Sequence, residues 1–114
     1  MAVAFVRGMQ GDDPKHLKVV STPKHFAVHS GPEPLRHGFN VNVSPHDLED
    51  TYLQAFRATL VDAHADSTMC SYNAVNGFPS CANPYLLQKI LREDWGFHGA
   101  KPEYFTRLLI NTAL

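Results

Sequence analysis

The chain is predicted to be an α/β protein, a sector of a larger parallel-sheet architecture, and three observations predict it. Helix-like and strand-like stretches alternate along its 114 residues. Each helix carries its own start and stop residues. Strands separated by helices of this length must run parallel, with right-handed crossovers. Length then sets a limit. A closed eight-stranded barrel needs about 250 residues, and the pattern here supplies two clear strands and three helices.

The elements follow in order. Residues 2–10, AVAFVRGMQ, put Val3, Val6 and Met9 at helical spacing, with Gly11 placed for a C-terminal stop. Residues 17–22, LKVVST, are short and β-branched between Pro14 and Pro23, which predicts a buried parallel strand running into Lys24 and His25. Residues 30–43 hold glycine and proline punctuation with no period of 2 or 3.6, and are expected to form one long loop. Ser44, Pro45 and Asp47 make a capping signature: an N-cap hydroxyl, a proline at the first helical position and a carboxylate three residues on. Leu48, Tyr52, Phe56 and Leu60 recur every four residues behind it as a core-facing stripe. Residues 67–72, STMCSY, form the second strand, followed by the turn-rich NAVNGFPSCAN. Asn83 and Pro84 repeat the cap, with Leu86, Leu87, Ile90 and Leu91 as the buried stripe and Gly96 as the stop.

Composition removes several function classes. Ten Lys plus Arg against eleven Asp plus Glu give a formal charge of -1 with no block of like charge, which argues against a nucleic acid partner. No apolar run approaches the roughly 20 residues of a membrane helix, and MAVAFVRGMQG breaks at Arg7 without a small-residue cleavage pattern, so a soluble chain is expected. Compartment is not readable. Two cysteines are too few for a disulfide scaffold or a zinc site of their own.

Chemistry is expected at the C-terminal ends of the strands, where loops converge in α/β folds. STPKHFAVHSGPE and MCSYNAVNG occupy that position. Lys24 offers three rotatable donors and His25 a donor and an acceptor, a set that suits vicinal hydroxyls of a sugar. Met69 and Tyr72 would supply the flat apolar wall a pyranose ring also needs. The same residues also fit ordinary roles: a solvated strand-end lysine, a locally bonded histidine and two core side chains. Spacing alone does not choose between them.

A resemblance does. KVVSTPKHFAVHSGPEPLRHGFNVNVSPHDLEDTYLQAFRATL, followed by STMCSYNAVNGFPSCANPYLLQKILREDWGFHG, resembles the N-terminal barrel domain of family 3 glycoside hydrolases, in particular the β-xylosidase and β-glucosidase branch. The Lys-His pair before a Phe, the Asp-Leu-Glu helix start, Met-Cys-x-Tyr-Asn and Trp-Gly-Phe-x-Gly occur in the family's order and at its spacing. The resemblance covers residues 1–99. It implies a partial (β/α)8 barrel, retaining hydrolysis of β-linked xylosides or glucosides, and no cofactor, since protonation and carboxylate attack suffice. It also implies that Lys24 and His25 contact hydroxyls of the sugar beside the scissile bond, with Met69 and Tyr72 lining the same subsite. A cation such as Lys24 would keep a nearby catalytic carboxylate ionised. For Glu33 and Arg36 in GPEPLRHG, two roles stand open: the subsite mouth, or an ion pair that stabilises the loop.

The family's nucleophile is an Asp at the end of the strand after Gly-Phe-x-Gly. Here Gly96, Phe97, His98 and Gly99 lead into AKPEYFTRLLINTAL, which departs from the family, so residues 100–114 are expected to be a divergent tail. Retaining chemistry requires two carboxyl groups about 5 to 5.5 Å apart, and no catalytic carboxylate is assigned in this chain. Asp47, Asp50, Asp62 and Asp66 are read as caps or solvated positions in or just after the second helix. The chain alone is therefore expected to be inactive, and a non-catalytic sugar-binding or interaction remnant is the alternative function. A metal set of His25, His29, His37 and Glu33 matches no zinc template, so no metal is assigned. Cys70 and Cys81 stay open between a disulfide that tightens the Tyr72 wall and two reduced, buried thiols.

Overall fold

The computed structural model describes residues 1–99. The tail expected at 100–114 lies outside the described residues.

The first helix is Ala2–Gln10 and closes on Gly11, which takes a positive φ of 80° and donates its N–H to the Arg7 carbonyl at 2.8 Å. Gln10 is buried at its end and works as a clamp. Its amide nitrogen donates to the His64 carbonyl at 2.9 Å, while its oxygen accepts from the backbone N–H groups of Ser21 and Asp66, at 3.2 and 3.0 Å. Arg7 adds a bond to the Asp62 carbonyl at 2.7 Å. The helix is thereby fixed to the far end of the second helix and to the run that leads into the sheet.

The first strand lies later than the sequence predicts. Residues 17–22 are not a buried strand: Val19 and Val20 are 47% and 48% exposed, and β1 is Lys24–Phe26. Lys18 donates its N–H to the Gln10 carbonyl at 3.0 Å, which ties the β-branched segment back to the first helix and away from the sheet. Extended pairing starts only around Ser21 and Pro23, whose carbonyls accept from Ser67 and Met69 at 3.4 and 3.2 Å. The peptide bonds Lys24–His25 and Phe26–Ala27 are cis.

Residues 30–43, expected to be loop throughout, contain a 3-10 turn at Glu33–Leu35 and a second strand, β2, at Asn40–Val41. The later strands are β3, Met69–Cys70, inside the predicted 67–72, and then β4, Ala74–Val75, and β5, Phe78–Pro79, both within the stretch where the sequence predicts turns. Two small sheets result. β1 pairs β3 in parallel, with Lys24 opposite Met69. β2 pairs β4 in parallel, and β4 pairs β5 antiparallel across a tight turn at Asn76-Gly77. Both turn residues take positive φ, 51° and 86°, the geometry that makes Asn-Gly a hairpin signal.

The second helix starts as predicted, with the Ser44 hydroxyl accepting from the Asp47 N–H at 3.0 Å. It runs as four consecutive pieces: Pro45–Asp47 and Gln54–Arg57 are α-helical, Leu48–Tyr52 and Ala58–Asp62 are π-wound. The N–H of Leu53 bonds the carbonyl of Leu48, five residues back, at 2.9 Å. That winding brings Leu53 onto the buried face together with Leu48 and Leu60, while Tyr52 and Phe56 pack at its margin. The third helix, Tyr85–Asp94, opens on Asn83, whose side-chain oxygen accepts from Tyr85 and Leu86 at 3.0 and 3.3 Å, and buries Leu86, Ile90 and Leu91. These faces close over Phe26, Val28 and Val75 in one core. Among the described residues no helix is long and apolar enough to cross a membrane.

Candidate functional site

Because β1 and β3 run parallel, their C-terminal ends open on the same side, and the loops that leave them meet there. The predicted contact residues lie on these two strands and just beyond them. Lys24 begins β1 with an exposed side chain, and Met69, its register partner on β3, is half-buried. His25 is half-buried between Lys24 and the fully buried Phe26. Tyr72 is half-buried two residues beyond β3, next to Ser71, whose N–H donates to the Phe26 carbonyl at 2.8 Å.

The long loop after β1 completes the rim. Its close turn needs Gly31, since a Cβ there would stand 2.6 Å from the Phe39 ring. Beyond the turn, Arg36 donates to Glu33 at 2.6 Å. Both side chains are largely exposed, and such a pair is worth about 0 to 1 kcal/mol. Arg36 does more by position. Its guanidinium lies 5.8 Å over the Tyr72 ring, and the His37 ring packs 4.5 Å from the same tyrosine. His37 also accepts from Arg36 Nε at 3.1 Å.

Burial holds the His25 imidazole below its ordinary pKa, and the positive charges of His29, Lys24 and Arg36 act in the same direction against the weaker pull of Glu33. That direction favours the neutral imidazole, which has one donor and one acceptor nitrogen. Lys24 contributes a fixed ammonium. Polar groups of this kind beside apolar side chains such as Met69 and Tyr72 are a combination able to hold a polyol ring. His29, absent from the sequence-level set, packs its ring 4.8 Å from that of His25. Asn73, also missed, faces His29 from the β3 side.

The four aspartates divide. Asp47 belongs to the helix cap, Asp50 pairs with His46 at 3.2 Å, and Asp62 is exposed. Asp66 departs from the solvated reading: it is half-buried, and burial pushes its carboxyl above the usual range. It lines a cleft of about 300 Å³ with Trp95, Phe97 and His98. Because it precedes β3, it stands at the opposite end of the strand from Tyr72. Among the described residues, no three His, Cys, Asp or Glu side chains converge on a point able to hold a metal ion. Cys70 and Cys81 form a disulfide with Cα atoms 5.3 Å apart, tying β3 to the turn Ser80–Ala82.

Residues 1–101 match the glycosyl hydrolase family 3 N-terminal domain. The chain belongs to glycosyl hydrolase family 3. An exo-1,4-β-xylosidase of Emericella nidulans is 50% identical over 98 residues, which are 83% of this chain and 13% of the relative. Among solved structures, a family 3 exo-β-xylosidase in complex with a xylobiose aziridine probe superposes with a TM-score of 0.78 at 37% identity, over 84% of this chain and 13% of that one. A β-glucosidase from Streptomyces venezuelae in complex with D-glucose gives a TM-score of 0.66 at 43% identity, over 71% and 10%. The chain therefore spans about an eighth of the length of the relatives it matches. Its family 3 membership and its small α/β fold agree with the sequence reading.

Proposed function

We propose that this chain forms one sector of the sugar-binding face of a retaining family 3 glycoside hydrolase with β-linked xylosides or glucosides as substrates. The sector is part of a (β/α)8 barrel. Lys24 and His25 donate to and accept from hydroxyls of the sugar next to the scissile bond, and Met69 and Tyr72 form the wall against its ring. The nucleophile and the acid/base carboxyl lie outside residues 1–99. No cofactor is needed for this chemistry.

One observation supports the reading: β1 pairs with β3 in parallel with Lys24 opposite Met69, and Arg36, from the loop that follows β1, lies over the Tyr72 ring. The expected behaviour is sugar binding without hydrolysis. Titration of the 114-residue chain with xylose, glucose and xylobiose, followed by amide NMR, should move the signals of 24–26 and 69–72 with millimolar affinity. Chromogenic aryl β-xylosides and β-glucosides should release nothing above a Lys24→Ala control. Sugar-induced shifts confined to other segments would remove the proposal.

A further inference from the structure

Asn73 is among the least exposed polar residues of the chain, 1% accessible, and the sugar-contact set does not use it. A buried amide must satisfy two donors and an oxygen, so its partners define its orientation. The Asn73 nitrogen lies 2.9 Å from the Val28 carbonyl and 3.0 Å from the Ala74 carbonyl. Only an NH2 group can serve two carbonyl oxygens. The remaining atom, Oδ1, therefore faces His29, 3.4 Å from Nδ1. An amide oxygen only accepts, so Nδ1 of His29 must carry the proton.

That fixes a tautomer. With Nδ1 protonated, neutral His29 keeps its lone pair on Nε2. Its ring is held between Asn73 and Phe39, 6.3 Å away, and packs against His25 at 4.8 Å with the planes 57° apart. Asn73 is itself locked from behind: its carbonyl accepts the Ser80 hydroxyl at 2.7 Å and the Ser80 N–H at 3.0 Å. The Ser80 hydroxyl meets that of Ser71 at 2.8 Å, inside the ring closed by Cys70–Cys81.

We propose that Asn73 is a positioning residue that fixes the tautomer and ring orientation of His29 and, through the His29–His25 contact, presents His25 to the sugar. It touches no sugar itself. The consequence for sugar binding rests on the function proposed above, whereas the tautomer assignment does not. The groups facing His25 are His29, Lys24, Arg36 and Glu33, and of these His29 is the one Asn73 controls.

The direct test is long-range proton–nitrogen NMR of the histidine rings in the sugar-free 114-residue chain at about pH 8, where an ordinary imidazole is neutral. His29 should show the Nδ1–H tautomer, and an Nε2–H signal would overturn the inference even if sugar binds. The second arm is a double-mutant cycle on xylose affinity with Asn73→Ala and His29→Phe. Asn73→Ala should weaken binding about tenfold in the native background and leave it unchanged in the His29→Phe background. Equal losses in both backgrounds would overturn the positioning role. If Asn73→Ala does not fold, the wild-type tautomer decides alone. A chain that shows Nδ1–H yet binds no sugar would refute the function and keep the tautomer assignment.

Discussion

Phe26 stands edge-on to Phe56, with ring centroids 5.1 Å apart and planes at 90°, and its other edge contact is Trp95 at 6.0 Å. One fully buried ring thus joins β1 to the second helix and to the end of the third. It is also the chain neighbour of His25, so the core and the rim share a backbone.

Phe26→Ala should cost about 3 to 5 kcal/mol of folding stability, through lost burial and a cavity between two aromatic rings. Lys24→Ala, two residues away and exposed, should stay within about 0.5 kcal/mol of wild type. Urea unfolding of both variants checks the contrast. Comparable losses would mean that the strand is not anchored through its phenylalanine.

Gln10→Met keeps the shape of the side chain and removes its bonds to Ser21, His64 and Asp66. Three buried or part-buried backbone groups then lose a partner, and the expected loss is about 2 to 3 kcal/mol. Amide exchange should speed up at Ser21 and Asp66 before it does so elsewhere.

Reduction of Cys70–Cys81 opens a loop of 11-residue separation. The midpoint of thermal unfolding should fall, by the equivalent of about 2 to 4 kcal/mol. Mass measurement with and without reduction before alkylation reports the bond, and melting with and without reductant reports its effect. An unchanged midpoint would show that hydrogen bonds around Ser71, Asn73 and Ser80 hold the hairpin unaided.

Asp66 and His25 give opposite slopes with pH. The folded Asp66 carboxyl holds its proton above the ordinary 3.8, so its favourable share is present below that value and is lost as pH rises. Asp66→Asn should therefore melt higher than wild type near neutral pH, with the gap closing towards pH 3.8. The folded His25 protonates below the ordinary 6.5, so its share is present above that value and lost on acidification. His25→Gln should flatten the acid side of the stability profile. A difference that does not change with pH in either variant would mean that the group is solvated in the folded state.

The sequence showed the helices well because their ends announce themselves locally. Ser44-Pro45 and Asn83-Pro84 cap where expected, and Gly11 stops the first helix. The strands were harder. β-branched composition placed the first strand at 17–22, whereas a tertiary bond from Lys18 to Gln10 withdraws that segment and the sheet begins at Lys24. The hairpin Ala74–Pro79 was legible in Asn76-Gly77 between Val75 and Phe78, a signal submerged in a turn-rich stretch. The rim residues Lys24, His25, Met69 and Tyr72 came from resemblance. Asn73 and His29 could not, since their pairing exists only once two loops 44 residues apart are brought together.

The two strands that carry the rim are three and two residues long, and among the described residues each pairs only with the other. Each therefore has an outer flank where amide and carbonyl groups look for company. In a full barrel those flanks would be sealed by neighbouring strands. Left open, they make an adhesive border, and concentrated solutions of this polypeptide should grow larger particles by lateral strand addition rather than remain single molecules.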